Sequence, residues 1–170
     1  MRIRKAVAIA ALSGAALAGC GVQPTGVVSA GEPASGLTRG TRLYFASPGG
    51  LRVVPPDREV RNLGTVVKLL AVGPPPAEQR DGLTTLVQHL PGYTVAGTGA
   101  RVTMRLDGPY TATGRDQGTG QLVCSLAHAQ SVLEPNVRAD DVRVTLHPSG
   151  SPALGPYQCR QFRTSVFDGL

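Results

Sequence analysis

Val102-Thr103-Met104-Arg105-Leu106 carries the clearest period in the chain: apolar side chains at 102, 104 and 106 alternate with polar ones. That is the pattern of a strand buried on one face only. Before it, Pro91-Gly92 precedes Tyr93 and Val95, which predict a second strand, and Gly97-Thr98-Gly99 predicts the turn that makes the two a hairpin. Asp107-Gly108-Pro109 closes the hairpin and a loop runs to about Arg115. Gln117 to Leu133 predicts a helix, with Leu122, Leu126, Ala129 and Leu133 on one stripe and Cys124 and Ser125 nearby. Val142, Val144 and Leu146 alternate again as a strand, His147-Pro148-Ser149-Gly150 turns, and Tyr157 to Phe162 predicts a last edge strand carrying Cys159.

The N-terminal half repeats this mixture of periods. Thr41 to Ala46, with Leu43, Tyr44 and Phe45, runs as a strand into Ser47-Pro48-Gly49-Gly50, and Leu51 to Val54 is its hairpin partner. Pro55-Pro56-Asp57 breaks the chain, and Asp57 is the expected N-cap of a helix beginning near Arg58. Val60, Leu63, Val67 and Leu70 place one apolar stripe on that helix, leaving Arg58, Arg61 and Lys68 on a solvated face. Gly73-Pro74-Pro75-Pro76 ends it, because proline lacks the amide hydrogen and turns the preceding residue away from helix. Between Ala77 and Leu90 the apolar residues Leu83, Leu86, Val87 and Leu90 stand at helical spacing but are interrupted by Gly82, Thr84 and Thr85, and a short helical turn is expected. Helices and strands interleaved in this way predict an α+β fold in a single domain over residues 41–163, with a tail at 164–170.

Ahead of this domain, Arg2, Arg4 and Lys5 precede an apolar run from Ala6 to Ala18 that ends in Leu17-Ala18-Gly19-Cys20. A run of this length is too short to span a bilayer, which takes roughly 20 residues, and has the layout of a secretory signal. Leu-Ala-Gly-Cys looks like the lipobox of bacterial lipoproteins, in which the cysteine thiol takes a diacylglyceryl group before cleavage. Residues 1–19 are therefore expected to be removed, leaving Cys20 as the lipidated first residue of a flexible Gly/Pro/Ser/Thr tether over 20–40. The plain alternative is secretion with cleavage after Ala16-Leu17-Ala18. Acyl chains of the palmitate type anchor stably once two or more are present, since each buried methylene contributes about 0.8 kcal/mol. The expected location is the extracytoplasmic face of the cell membrane.

Of 17 Lys+Arg against 11 Asp+Glu, three basic residues leave with the signal, so the mature balance is 14 against 11. That is too slight for a nucleic-acid partner and leaves a mild attraction to anionic lipid or wall polymer. With Cys20 acylated, Cys124 and Cys159 remain as a pair in an oxidising compartment and are expected to form a disulfide, the alternative being two buried thiols.

Candidate chemistry is sparse. Ser125 and His128 lie three apart on one helix, but no Gly-x-Ser-x-Gly elbow surrounds the serine. Cys124 and His128 are four apart, yet the disulfide removes the thiolate, and neither His89 nor His147 has ligand spacing around it, so no metal or cofactor is expected. Asp140 and Asp141 adjoin and read as a turn. Gly118-Thr119-Gly120 lacks the rest of a phosphate-loop fingerprint and reads as a helix start.

The order strand, helix, Gly-Pro break, hairpin, helix, strand resembles the sporulation and spore germination domain GerMN. The residues that carry the likeness are Leu43-Tyr44-Phe45, Leu69-Leu70-Ala71-Val72-Gly73-Pro74, Gly82-Leu83-Thr84-Thr85 before Leu90-Pro91-Gly92, Val102-Thr103-Met104-Arg105-Leu106 and Gln121-Leu122-Val123-Cys124-Ser125-Leu126. The resemblance spans about residues 41–147. It implies a small mixed sheet with two amphipathic helices packed against it, in a non-catalytic envelope lipoprotein of Gram-positive bacteria. The expected function is then an interaction module, not an enzyme, binding another envelope protein or wall polymer. A small-ligand-binding lipoprotein and an envelope hydrolase are the alternatives.

Overall fold

The computed structural model describes residues 40–110 and 115–163. The signal segment, Cys20 with most of the tether, and the tail lie outside the described residues. The strands are β1 (Leu43–Ser47), β2 (Gly50–Val54), β3 (Tyr93–Thr98), β4 (Arg101–Leu106), β5 (Arg143–Pro148) and β6 (Leu154–Tyr157). The helices are α1 (Leu63–Val72), α2 (Pro76–Arg80), α3 (Gln117–Leu133) and α4 (Arg160–Arg163), with a 3-10 turn at Ala139–Asp141.

The fold is α+β, and its strands form two sheets. β1 and β2 pair as a hairpin, while β3-β4-β5-β6 form a mixed sheet that is antiparallel except between β4 and β5. A parallel pair needs a crossover, and α3 lies in the connection that supplies it. The expected alternation in β4 and β5 is present: Val102, Met104, Leu106, Val144 and Leu146 are buried and belong to the same core as Leu122, Val123 and Leu126 of α3. α1 adds Leu63, Val66, Val67 and Leu70 to that core.

α3 has the expected bounds but not the expected single stripe. It is buried all round from Gly118 to Ala127, whereas Leu133 is 38% exposed. The helix packs against β1 and β2 as well as β4 and β5, which explains why its other faces are also covered. Its N-cap is Asp116, whose carboxylate accepts from the Thr119 amide at 2.9 Å and from the Thr119 hydroxyl at 3.0 Å. Gly118-Thr119-Gly120 is therefore the first turn, and Gly120 serves close packing: a Cβ there would lie 2.9 Å from Leu51 Cδ1 and 3.1 Å from Phe162 Cβ.

Three other boundaries differ from the sequence reading. α1 begins at Leu63, capped by Asn62, whose Oδ1 accepts from the Thr65 amide at 2.9 Å. Asp57 instead pairs with Arg58 at 3.1 Å on the surface, and Val60 is buried without being helical. The short helical turn expected between Ala77 and Leu90 is present as α2, but it ends at Arg80 and the apolar residues after it are extended: Leu83, Thr85 and Val87 are buried while Thr84 and Leu86 are exposed, and Thr84 bridges Ala46 with amide bonds of 2.9 and 3.0 Å. β6 ends at Tyr157, so Cys159 precedes α4 and Phe162 lies within that helix.

Candidate functional site

Cys124 and Cys159 form a disulfide, with Cα atoms 4.5 Å apart, that ties α3 to the segment between β6 and α4. Cys124 is thereby unavailable to a metal, and no group of three or more His, Cys, Asp or Glu side chains converges among the described residues. Ser125 is fully buried, and its Oγ accepts the Tyr44 amide at 2.9 Å. His128 stacks on the Tyr44 ring, centroid to centroid 5.4 Å. Burial, aided by the nearby charges of Arg42 and Arg163 and opposed by Asp140, holds its imidazole below the usual histidine range. Asp140 and Asp141 end the 3-10 turn, where Asp140 pairs with Arg163 at 2.7 Å. His89 lies in the loop before β3 and His147 on β5.

The buried polar residues of α3 have a common task, which hydropathy alone does not reveal. Gln121 donates from Nε2 to the Tyr44 carbonyl at 3.2 Å and accepts at Oε1 from the Leu86 amide at 2.8 Å. Ser125 takes the Tyr44 amide, and Ala46 exchanges both its amide bonds with Thr84. The edge of β1 away from β2 is thus fully satisfied, by side chains of α3 and by the extended segment. The sequence signal for this role is the four-residue spacing of Gln121 and Ser125, which sets two hydrogen-bonding groups on one face of a buried helix.

β3 differs. It is the edge of the four-stranded sheet, and the Gly92 carbonyl accepts from the Asp107 amide at 2.7 Å, fixing the phase of the ladder. Antiparallel pairs alternate, so the amides and carbonyls of Thr94, Ala96 and Thr98 point to β4 and those of Tyr93, Val95 and Gly97 point away from it. Among the described residues none of these outward groups has a hydrogen-bond partner. The same three residues are half-buried, and they border a groove of about 800 Å³ whose lining includes Leu63 of α1, the Tyr93 and Val95 side chains of β3, and Gln130 and Leu133 of α3, with Arg61, Lys68 and Glu134 as its charged members. Gln130 closes the groove floor: its Nε2 donates to the Gly99 carbonyl at 2.9 Å, and a Cβ on Gly97 would overlap its carboxamide.

β6, the opposite edge, is four residues long and contains Pro156, which cannot donate to a ladder. β3 has six residues and no proline, charge or bulge to protect it. Its arrangement suits an added strand whose alternate side chains enter the groove.

No family model matches this chain, and neither the curated proteins nor the solved structures contain a match.

Proposed function

We propose that this protein is a lipid-anchored, extracytoplasmic, non-catalytic interaction module that binds an extended segment of another envelope protein by strand addition at β3. The single observation that carries this reading is the open edge at Tyr93, Val95 and Gly97 over its own groove. An added strand gains main-chain hydrogen bonds from those three residues, and its alternate side chains meet the apolar walls offered by Leu63, Tyr93, Val95 and Leu133. The address rests on Leu17-Ala18-Gly19-Cys20 and the basic-apolar layout before it. The likeness to GerMN domains agrees with both parts. A second reading, a small ligand held in the same groove, is favoured by the groove's size and by Lys68 and Gln130 beside its apolar walls.

Crosslinking in intact cells, followed by capture of the tagged protein, tests the proposal. One envelope protein should be recovered with the wild-type chain and lost with Cys20→Ala. Val95→Pro removes an outward amide while leaving the β4 ladder intact, and should also abolish recovery, whereas Thr94→Ala should not. Recovery that survives Val95→Pro overturns strand addition. The absence of any protein partner, with a small molecule co-purifying instead, favours the second reading.

A further inference from the structure

The outer face of the four-stranded sheet has a composition that folding does not require. Register places Thr98, Arg101 and Arg143 in one row, Ala96, Thr103 and Thr145 in the next, and Thr94, Arg105 and His147 in the third. Their side chains point away from the core, since they alternate with buried Val102, Met104, Leu106, Val144 and Leu146. None of these nine positions is acidic, and none of the three arginines has an ion-pair partner among the described residues.

Arg101 and Arg143 are direct neighbours on strands spaced about 4.8 Å apart. Like charges set side by side on a sheet destabilise it. Between them lies a hollow of about 300 Å³ whose lining includes Thr103, Thr145 and Pro156 as well as the two arginines. Two guanidinium groups and two hydroxyls can present several donors to a tetrahedral oxyanion, and arginine forks match phosphate oxygens in pairs. Arg105 repeats the positive charge four residues along β4, about 13 Å away at ~3.3 Å per residue.

From this we infer that the outer sheet face binds a linear phosphodiester polymer of the wall type, with one phosphate seated between Arg101 and Arg143 and the chain running along β4 towards Arg105. A membrane surface fits less well, because the face presents threonines and Ala96 rather than apolar groups that could enter lipid. Single-stranded nucleic acid fits less well too, because no Phe, Tyr or Trp stands on the face to stack a base. The choice of a wall polymer also rests on the extracytoplasmic address proposed above. It does not depend on the β3 edge, whose hydrogen-bonding groups lie in the plane of the sheet.

The test uses the full chain in detergent, titrated calorimetrically with poly(glycerol phosphate), with uncharged dextran as control, over a range of salt. Binding should weaken with salt, and Arg101→Gln with Arg143→Gln should reduce affinity about tenfold or more and lower the salt slope. Arg105→Gln should lower the slope alone by roughly one unit at most. Arg58→Gln with Arg80→Gln removes equal charge elsewhere and should change affinity less than threefold. Melting curves establish that each variant is folded. Equal losses in the two double variants reduce the effect to net charge and overturn the site. Tighter binding to phosphatidylglycerol vesicles or oligo-dT than to the polymer overturns the ligand class. Retention of partner capture by the Arg101/Arg143 variant, and of polymer binding by Val95→Pro, separates this site from the β3 edge.

Discussion

Replacing both Cys124 and Cys159 by alanine removes the disulfide cross-link that ties α3 to the β6–α4 segment. The bridged cysteines are 35 apart in sequence, and closing a loop of that length lowers the entropy of the unfolded chain by an amount worth about 4 kcal/mol at 25 °C. Both sulfurs are buried in the core, so truncation also loses packing, on the order of 1 kcal/mol. For a folded unit of about 120 residues, an unfolding entropy of roughly 0.25 kcal/mol per kelvin converts the sum into a fall in Tm of about 20 °C. Reduction of the wild type keeps the sulfurs and should lose most of the entropic part. Urea and thermal melts on oxidised, reduced and double-variant protein give the three values, and alkylation with intact mass counts free thiols. Hydrogen exchange adds a location: amides of residues 154–163 should lose protection first. A loss below about 1 kcal/mol in both reduced and variant forms refutes the reasoning, as does alkylation of both cysteines in the native, unreduced protein.

Three further outcomes follow from the structure. Gln121→Leu keeps the bulk of the side chain but strands the Tyr44 carbonyl and the Leu86 amide, and should destabilise by about 2 to 4 kcal/mol in urea melts. Gly120→Ala should destabilise by about 1 to 2 kcal/mol by the same measurement: crowding against Leu51 and Phe162 outweighs alanine's higher helix propensity. The folded state holds His128 below the ordinary histidine pKa, so it resists a proton that the unfolded chain accepts. Its contribution is present above about pH 6.5, the usual unfolded value, and is lost as pH falls through the folded value. His128→Phe, which keeps a ring against Tyr44, should therefore flatten the fall in urea midpoint between pH 7.5 and 5.5.

Strict alternation made β4 and β5 legible, because a one-sided strand writes its period directly into the sequence. The α3 span was legible for a similar reason, since Leu122, Leu126 and Ala129 mark one face whether or not the others are also buried. Its centrality was not, because Gln121, Ser125 and Gln130 read as a polar side when they are buried and bonded to other backbone. The start of α1 is not legible in the sequence because Asp57 and Asn62 are both competent caps, and local sequence does not say that Arg58 engages the first. The residues from Leu83 to Val87 fit a helical and a two-residue period equally, and pairing of Thr84 with Ala46 decides between them. Cysteine arithmetic identified the disulfide. The open edge could not be read at all, because edge status depends on strand order, which no local pattern encodes.

That edge is best weighed against the one on β1. Both strands expose a row of backbone groups to a second side, yet β1 meets Gln121, Ser125 and Thr84, three separate contributions that leave neither Tyr44 nor Ala46 unpaired. β3 receives nothing comparable, although Gln130 reaches the Gly99 carbonyl in the turn that follows the strand. Unprotected edges invite pairing with other chains, and proteins blunt them with proline, charge or cover, as Pro156 does on β6. An edge left bare beside a groove, in a fold that closes the β1 edge with buried side chains and protects β6 with a proline, is better explained by a partner strand than by neglect. The arginine rows carry the same logic on a different surface: unpaired like charges weaken the sheet and become favourable when an anion lies between them. The two proposed surfaces are orthogonal, one in the plane of the sheet and one on its face, so occupation of one would leave the other accessible.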